Sequence, residues 1–269
     1  MKKIGIALGS GGARGWAHVG VLQYLNQLGI RPYCVAGTSV GSIVGAVYSA
    51  GNLDDLVNLS QEMNWQQVAK LFLEIHWPST GLISGKRILQ FLQRLIPQTE
   101  IDELPIPFAA VSTVLEEERE LVISKGNLLD AIRASISIPG IFTPPDYQEN
   151  HLVDGGFANP LPTSVCRKLG ADVVIGVDIN LRYGESSDPD EKKNFSIFEI
   201  LTRTMRIAEN KITQRDLERF PPDILIQPAV GHISTLDFHR GEDGIRLGIE
   251  AAAAHREELE RLVEDDGNV

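Results

Sequence analysis

Cysteine is scarce in this chain: its 269 residues include only Cys34 and Cys166. No C-x-x-C pair occurs, so the sequence lacks the spacing typical of a thiolate metal site or a redox pair. Both cysteines stand in apolar stretches, where a thiol usually serves as a small core side chain. We therefore expect two buried free cysteines in a reducing compartment.

Positive charge is also in short supply. The 25 lysines and arginines are outnumbered by 36 acidic residues, so the formal net charge is -11 and the pI is about 5.0. This excludes nucleic acid as the main partner, because binding to phosphates requires a basic face. The charge also provides no long-range attraction to an anionic membrane, although a local apolar patch could still touch lipid.

Long hydrophobic runs are missing as well. No window approaches the roughly 18 uninterrupted apolar residues of a membrane span, so none is predicted. The apolar run at residues 4–8 is interrupted by glycine before it reaches the length of a signal-peptide core. We expect a cytoplasmic protein, for which peripheral contact with a membrane remains an open alternative.

Strand and helix patterns alternate along the chain. Residues 3–8 and 33–37 are apolar runs typical of buried strands, and each is followed by a glycine-containing turn and a helical pattern. Further strand patterns lie at residues 107–115, 120–126, 151–156, 172–179 and 223–228. An acidic turn at 116–119 predicts a hairpin between the first two of these. The alternation predicts an α/β fold with a parallel sheet.

Neither an internal repeat nor a domain linker interrupts this alternation. We therefore predict one domain over residues 1–269, with its motifs between about residues 4 and 180. A final strand and helix are predicted within the segment from about residue 195 to 264. The polar stretch 182–194 is the one segment predicted to be loose.

The sequence "GTSVG" places Ser39 between Gly37 and Gly41. This G-x-S-x-G pattern often marks a nucleophilic serine on a sharp strand-to-helix turn. By itself the pattern is weak evidence, because small residues also cluster in ordinary turns. Ser39 is also predicted to begin a helix, whose partially positive N-terminus can stabilise an alkoxide.

A glycine-rich loop, "GSGGARG" at residues 9–15, follows the first predicted strand. It lacks the spacing of a dinucleotide-binding loop and the Gly-Lys-Ser/Thr of a Walker loop. An oxyanion hole is the better interpretation, with the N–H groups of Gly11 and Gly12 as donors to a developing negative oxygen. Adjacent parallel strands end at one edge of a sheet, so we expect this loop to lie beside Ser39.

Two arrangements could activate Ser39. In one, Asp178 and a downstream histidine, His232 or His239, would complete a Ser…Asp…His triad, but α/β-hydrolases usually have several strands before the nucleophile. In the other, Asp154 ends a short strand and takes the proton of Ser39 directly. The glycines that follow Asp154 would allow backbone to pack closely against it.

The motifs "GSGGARG", "GTSVG" and "DGG" together resemble those of patatin-like phospholipases. The resemblance extends from the first strand to about residue 180. It is nearest to the compact bacterial RssA-type members, which are related to the catalytic domain of neuropathy target esterase. It implies a three-layer α/β/α sandwich with a mostly parallel central sheet. It also implies a Ser-Asp dyad that hydrolyses lipid acyl esters with no metal or other cofactor.

Carried over by position, the resemblance makes Ser39 the nucleophile and Asp154 the base. Gly11 and Gly12 supply the oxyanion hole, and Arg14 fills the basic position of the loop, where it either anchors the loop or binds a substrate phosphate. The remaining motif glycines are Gly9, Gly15, Gly37, Gly41, Gly155 and Gly156. One departure is that Gly9 and Ser10 stand where the family loop often has Asp-Gly.

The expected function is that of a lysophospholipase or phospholipase A-like acyl hydrolase, with a lipid or lysophospholipid as substrate. A lipid-sensing module without turnover and an acyltransferase to an acceptor other than water remain alternatives. The helical region 64–96, which carries Trp65, Phe72 and Trp77, is predicted to roof the site and set the acyl length. Headgroup preference and oligomeric state are left open.

Overall fold

The computed structural model of the chain describes residues 2–63, 66, 83–180 and 197–267. The predicted loose segment 182–194 lies outside the described residues, as do Trp65, Phe72 and Trp77 of the predicted roof. Every strand pattern noted in the sequence falls within the described ranges.

The secondary structure follows the predicted alternation. The strands are β1 (Ile4–Leu8), β2 (Cys34–Thr38), β3 (Phe108–Val114), β4 (Arg119–Ile123), β5 (Asp146–Tyr147), β6 (Asn150–Asp154), β7 (Val173–Val177) and β8 (Ile224–Ile226). The helices are α1 (Trp16–Gln27), α2 (Val40–Ser49), α3 (Leu53–Glu62), α4 (Lys86–Leu95), α5 (Leu128–Ser135), α6 (Thr163–Lys168), α7 (Ile197–Arg219), α8 (Gly241–Ala253) and α9 (Arg256–Gly267).

The C-terminal helix departs from the prediction. The sequence pattern indicated one helix, whereas the structure has two, α8 and α9, separated by a turn at residues 254–255. The N–H of His255 donates to the carbonyl of Ala252, three residues earlier, at 3.0 Å. This turn is tighter than that of an α-helix, in which the acceptor lies four residues earlier. The break follows a run of alanines, which favours helix and offers no turn signal.

The described strands form one sheet in the order β5-β6-β3-β2-β1-β7-β8, with β4 paired to β3. Strands β3, β2, β1, β7 and β8 are parallel to their neighbours in that order. The β3–β4 pair is antiparallel, as the acidic turn predicted, and β6 is antiparallel to both β3 and β5. The mostly parallel central sheet is therefore confirmed.

Helices cover both faces of this sheet. On β1, Ile6 and Leu8 belong to one apolar cluster together with Val21 of α1, whereas Ala7 belongs to a second cluster with Val165 of α6. Because successive strand residues point to opposite faces, the two clusters lie on opposite sides of the sheet. The structure is a three-layer α/β/α sandwich, as predicted.

The two cysteines lie in the second cluster, where both are buried and free. Small residues dominate this side: a Cβ on Gly5 would lie 2.7 Å from the Cβ of Ala171 and 2.8 Å from that of Cys166. The expectation of small, buried thiols is confirmed. Within the described residues, no helix combines the length and apolarity needed to cross a membrane.

The C-terminal segment packs on the motif-bearing part of the chain. Helices α1 and α8 approach so closely that a Cβ on Gly20 would lie 2.0 Å from the carbonyl oxygen of Ile245, and one on Gly248 would lie 2.1 Å from that of Ala17. Glycine on each helix removes the side chain that would keep the backbones apart. The single domain over residues 1–269 stays a prediction.

The pairing of β3 brings the ends of β2 and β6 together. Val111 pairs with Thr38 of β2 and with Val122 of β4, while Ser112 pairs with Asp154 of β6 and also with β4. Since β4 occupies one edge of β3, β2 and β6 share the other edge. The residue after Thr38 therefore emerges beside Asp154.

Candidate active site

Ser39 occupies the sharp turn between β2 and α2. Its backbone has φ 55° and ψ -124°, a conformation that non-glycine residues rarely adopt. Its N–H donates to Ser135 Oγ at 2.9 Å, and its carbonyl accepts from Ser42 Oγ at 2.6 Å. Strain of this kind costs about 1–3 kcal/mol and persists where the surrounding structure holds it, as at a nucleophile elbow.

The glycines of "GTSVG" are required by close backbone packing around this turn. A Cβ on Gly37 would lie 2.3 Å from the carbonyl oxygen of Gly41. A Cβ on Gly41 would lie 2.1 Å from that of Leu8 at the end of β1. Helix α2 can therefore begin directly against the ends of two strands.

Asp154 accepts a hydrogen bond from Ser39. Ser39 Oγ lies 2.6 Å from Asp154 Oδ2, and the other carboxylate oxygen accepts the N–H of Gly156 at 2.8 Å. Ser39 is 6% exposed and Asp154 only 1%. Burial, with a contribution from the nearby charge of Glu209, raises the pKa of Asp154 to about 7. This carboxyl group therefore titrates near neutral pH.

The glycine-rich loop lies beside the Ser39–Asp154 pair. Backbone bonds hold it in place: Gly9 donates to Val177 at 3.0 Å, Ser10 to Pro160 at 2.9 Å and Ala13 to Thr235 at 2.9 Å. Gly12 has φ 59°, and a Cβ there would lie 2.6 Å from the carbonyl oxygen of Thr235. Within the described residues, the N–H groups of Gly11 and Gly12 have no acceptor.

One small cavity connects these groups. Gly11, Gly12, Ser39 and Asp154 all line it, and its volume is about 30 Å³. This is enough for about one water molecule or a single polar atom of a ligand. The hydroxyl, the carboxylate and the glycine loop therefore face the same space.

Arg14 is nearly fully buried, and it lines the same small cavity as Ser39 and Asp154. Only 2% of it is exposed. Its Nε donates to the carbonyl of Gly11 at 3.0 Å, and its Nη2 donates to Asn180 Oδ1 at 2.8 Å. These contacts link the loop to the segment after β7. Of the two roles left open for Arg14, they favour anchoring the loop over binding a substrate phosphate.

Apolar space continues from Ser39 toward α4. A cavity of about 70 Å³ adjoins Ser39 and is lined by Ile136, Ile138, Ile141 and Phe142, among others. A second cavity of about 110 Å³ is lined by apolar side chains that include Trp16, Val44, Leu59, Phe91 and Leu95. Both cavities are also lined by Val40 and Ile43 at the start of α2 and by Ile88 of α4. The described part of the predicted roof therefore does line an apolar cavity near Ser39.

Residues 6–167 match the family model for patatin-like phospholipases, which is more than half of the chain. This chain belongs to the patatin-like phospholipase family. The match includes the glycine loop, the serine turn and the DGG motif, so it confirms the resemblance found in the sequence. Membership of this family implies lipid acyl hydrolase activity.

Several curated relatives of this patatin-like protein carry related names. An uncharacterised NTE family protein of Mycobacterium bovis is 27% identical, over 98% of this chain and 93% of that protein. Patatin-like phospholipase domain-containing protein 7 of Rattus norvegicus is 33% identical over 66% of this chain, and the match spans 14% of that protein. These names agree with the predicted relation to neuropathy target esterase.

Among solved structures, the crystal structure of VipD from Legionella pneumophila has a similar fold. It matches with a TM-score of 0.53 and 13% sequence identity, over 97% of this chain and 67% of that one. At this identity the likeness concerns the fold alone. It agrees with the α/β/α architecture of the patatin-like domain.

The alternative triad is not formed in this patatin-like site. Asp178 accepts hydrogen bonds from Asn180 N at 2.9 Å and from Gln227 Nε2 at 3.1 Å, which anchor the segment after β7. His232 pairs with Asp243 at 3.2 Å, with its side chain 47% exposed. Both residues are therefore engaged away from Ser39.

His18 of α1 contacts the glycine loop. It is fully buried, and its Nε2 lies 2.8 Å from the carbonyl oxygen of Gly9, to which it donates. Burial lowers the pKa of His18 to about 4, so the ring is neutral at physiological pH. Its hydrogen bond holds Gly9, the first residue of the glycine loop, in place.

Sequence reasoning missed one buried acidic residue of the patatin-like site. Glu209 of α7 is 7% exposed, and its Oε2 accepts from Ser10 Oγ at 3.0 Å and from Asn180 Nδ2 at 2.7 Å. A signal was present, because Met205, Glu209 and Thr213 recur every four residues along the buried side of α7. An acidic residue on such a side indicates a buried polar contact.

Proposed function

We propose that this protein is a serine acyl hydrolase of lysophospholipase or phospholipase A type, with Ser39 as nucleophile and Asp154 as general base. The 2.6 Å hydrogen bond from Ser39 Oγ to Asp154 Oδ2 carries the proposal. A nucleophile within direct reach of its base is the arrangement that serine catalysis requires. No intervening histidine is needed for the proton transfer.

The reaction proceeds in two halves. Ser39 Oγ attacks the acyl carbonyl carbon while its proton moves to Asp154, and the N–H groups of Gly11 and Gly12 bind the resulting oxyanion. As the tetrahedral intermediate collapses, Asp154 returns the proton to the departing alcohol, leaving an acyl ester on Ser39. Asp154 then takes a proton from water while the water oxygen attacks the acyl ester. When this second tetrahedral intermediate collapses, Asp154 returns the proton to Ser39 Oγ and the fatty acid is released.

The environment of Asp154 suits this role. A carboxylate with an ordinary pKa is a weak base toward a serine hydroxyl, and efficiency is greatest when the pKa of the base lies near the working pH. Burial brings the pKa of Asp154 to about 7. The first residue of α2 follows directly after Ser39, so the partially positive end of the helix adds to oxyanion stabilisation.

The apolar cavities support a lipid acyl chain as the group that is transferred. They begin at Ser39 and extend past Val40 and Ile43 to Phe91 of α4. Side chains of this kind bind hydrocarbon with a free energy that grows by about 0.8 kcal/mol for each buried methylene. An acyl group would lie there while its carbonyl faces Gly11 and Gly12.

Helix α7 supports contact with lipid at an interface. Ile200 and Ile207 are 53% and 62% exposed, and their spacing of seven residues places them on one side of the helix. Met205 and Glu209 of the same helix line the cavity of the catalytic pair. We propose that this exposed side, Ile200 and Ile207, touches the surface of a lipid aggregate beside the site.

Labelling with a fluorophosphonate probe tests the nucleophile. The wild type should be labelled, whereas Ser39→Ala should not be, and its ester turnover should fall on the order of 10⁴-fold or more. Ser49→Ala is a matched control, since it removes a buried hydroxyl from the far end of the same helix. Asp154→Asn should remain folded and lose turnover. Turnover retained by Ser39→Ala would contradict the mechanism.

A substrate panel separates the proposed hydrolase from the alternatives. Purified protein would be assayed with lysophospholipid, short p-nitrophenyl esters and acyl thioesters, each with and without an alcohol acceptor. Free fatty acid as the main product supports hydrolysis, whereas an acylated acceptor indicates transfer. A folded protein that releases no product from any of these would indicate a lipid-sensing module.

A further inference from the structure

A second buried carboxylate, that of Glu209, lies next to Asp154. A Cβ placed on Gly156 would be 2.4 Å from Glu209 Oε1 and 3.1 Å from Asp154 Oδ1. The two carboxylate oxygens are therefore no farther apart than the sum of these distances, with only a glycine between them. Both side chains also line the cavity that contains Ser39.

Two hydrogen bonds and the charge of Arg14 favour the ionised form of Glu209, whereas burial opposes it. Ser10 Oγ and Asn180 Nδ2 both donate to its Oε2. The positive charge of Arg14 attracts it, while the carboxylate of Asp178 repels it. On the other side of Gly156, Asp154 accepts from Ser39 and from the Gly156 N–H. Two acidic groups thus face each other in a site with little water.

Like charges at this distance oppose each other strongly in a buried site. When Ser39 gives its proton to Asp154, the carboxylate of Asp154 becomes neutral and this repulsion disappears. The negative charge of Glu209 therefore favours the proton transfer that starts the reaction. The bond from Ser10 also ties Glu209 to the glycine loop, next to Gly11.

We propose that Glu209 is a positioning residue whose negative charge, held across Gly156, promotes transfer of the Ser39 proton to Asp154. The proposal rests on the proposed hydrolase function and extends it. It also gives a reason for the second glycine of the "DGG" motif, since any side chain at position 156 would collide with Glu209.

The pKa directions agree with this geometry. Burial raises the pKa of Asp154, and the charge of Glu209 raises it further. Burial likewise raises the pKa of Glu209, against the hydrogen bond from Ser10. Because the general base must be ionised, kcat/KM should rise with pH through the pKa of Asp154. Removal of the Glu209 charge should lower that pKa and move the rise to lower pH.

The test is the pH dependence of kcat/KM on a short soluble ester for the wild type, Glu209→Gln and Glu209→Asp. Glutamine can still accept from Ser10 and Asn180 but carries no charge. In Glu209→Gln, the acid limb of the profile, where kcat/KM rises with pH, should move to lower pH by about one unit. The plateau kcat should also fall, because Asp154 is then a weaker base. Glu209→Asp keeps the charge and should have an acid limb nearer that of the wild type.

Two further variants separate charge from structure. Glu218→Gln removes an exposed charge from the same helix and should leave the acid limb unchanged. Ser10→Ala removes one donor to Glu209 but keeps the carboxylate and its bond from Asn180, so the rate should fall while the acid limb moves less than in Glu209→Gln. If Glu209→Gln and the wild type share one acid limb, or if Glu209→Asp shifts as far as Glu209→Gln, the proposal is wrong.

The proposal also has a test that does not depend on the folding of Glu209→Gln. Infrared titration of the wild type against Asp154→Asn reports the protonation of Asp154 directly. Titration in the ordinary range of an aspartate overturns the proposal. A second buried carboxyl that stays protonated at the pH where Asp154 ionises also overturns it, because Glu209 would then carry no charge, whereas ionisation of that second carboxyl below the pKa of Asp154 supports it. An inactive Ser39→Ala together with unshifted profiles would leave the hydrolase function intact while rejecting the role of Glu209.

Discussion

The carboxylate of Asp154 lowers the stability of the folded protein when it is ionised. It is 1% exposed, and burial followed by the charge of Glu209 raises its pKa from 3.8 to about 7. For an acid whose pKa is raised by folding, stability is greatest at low pH and declines as pH rises from the unfolded pKa through the folded one. We therefore expect Asp154→Asn to stabilise the protein at alkaline pH while abolishing activity.

The size of this effect follows from the same pKa. Folding raises the pKa of Asp154 from 3.8 to about 7. At about 1.4 kcal/mol per pKa unit, removal of the charge can raise the free energy of unfolding by at most about 4 kcal/mol. Asparagine can still accept from the N–H of Gly156 but replaces the acceptor for Ser39 with an amide nitrogen, which costs about 1 kcal/mol. A net gain of about 2–3 kcal/mol would raise Tm by about 5–10 °C.

The assay is unfolding followed by circular dichroism for the wild type and Asp154→Asn, at about pH 8 and about pH 5. The gain in Asp154→Asn should be largest at the higher pH and should shrink at the lower one, where the wild-type carboxyl is already protonated. Asp55→Asn, which removes an exposed carboxylate from α3, should give no gain at either pH. An equal gain at both values, or none at the higher pH, would refute the reasoning.

Three other changes have defined outcomes. Gly12→Ala should lower kcat on the order of 10²-fold, because its Cβ would displace the loop from Thr235; kcat equal to that of the wild type would argue against an oxyanion hole here. Val44→Trp should fill the larger apolar cavity and shift the preference to shorter acyl chains, and unchanged chain-length profiles would show that the acyl group binds elsewhere. Ile207→Asp should weaken sedimentation with phospholipid vesicles and turnover of vesicle substrate, while turnover of a short soluble ester stays at the wild-type level; loss of both activities would indicate a structural role instead.

Much of the fold could be predicted because strand patterns and glycine turns are local signals. The runs at 3–8 and 172–179 contain the parallel strands β1 and β7, and the run at 33–37 covers all of β2 except Thr38. The acidic turn at 116–119 joins an antiparallel pair. The break between α8 and α9 could not be predicted, because the surrounding alanines favour a continuous helix. The two-residue strand β5 was also too short to produce a pattern.

The candidate site was predicted in part. Ser39, Asp154 and the glycine loop each belong to a motif that can be recognised within a few residues. Glu209 belongs to none, and it reaches the site only because α7 packs beside the "DGG" turn. The role of Arg14 could not be assigned from sequence either. Its burial and its bonds to Gly11 and Asn180, which favour loop anchoring, exist only in the folded structure.

By itself, the sequence determined the α/β class and the family to which the chain belongs. It also determined the three motifs, because each depends on glycine or serine at positions where backbone approaches backbone. Only the tertiary structure decided how the motifs combine. Strands β2 and β6 share one edge of β3, which brings Ser39 to 2.6 Å from Asp154 across 115 positions of sequence. Burial and the neighbouring Glu209, which together set the pKa of Asp154, likewise arise only when distant segments pack together.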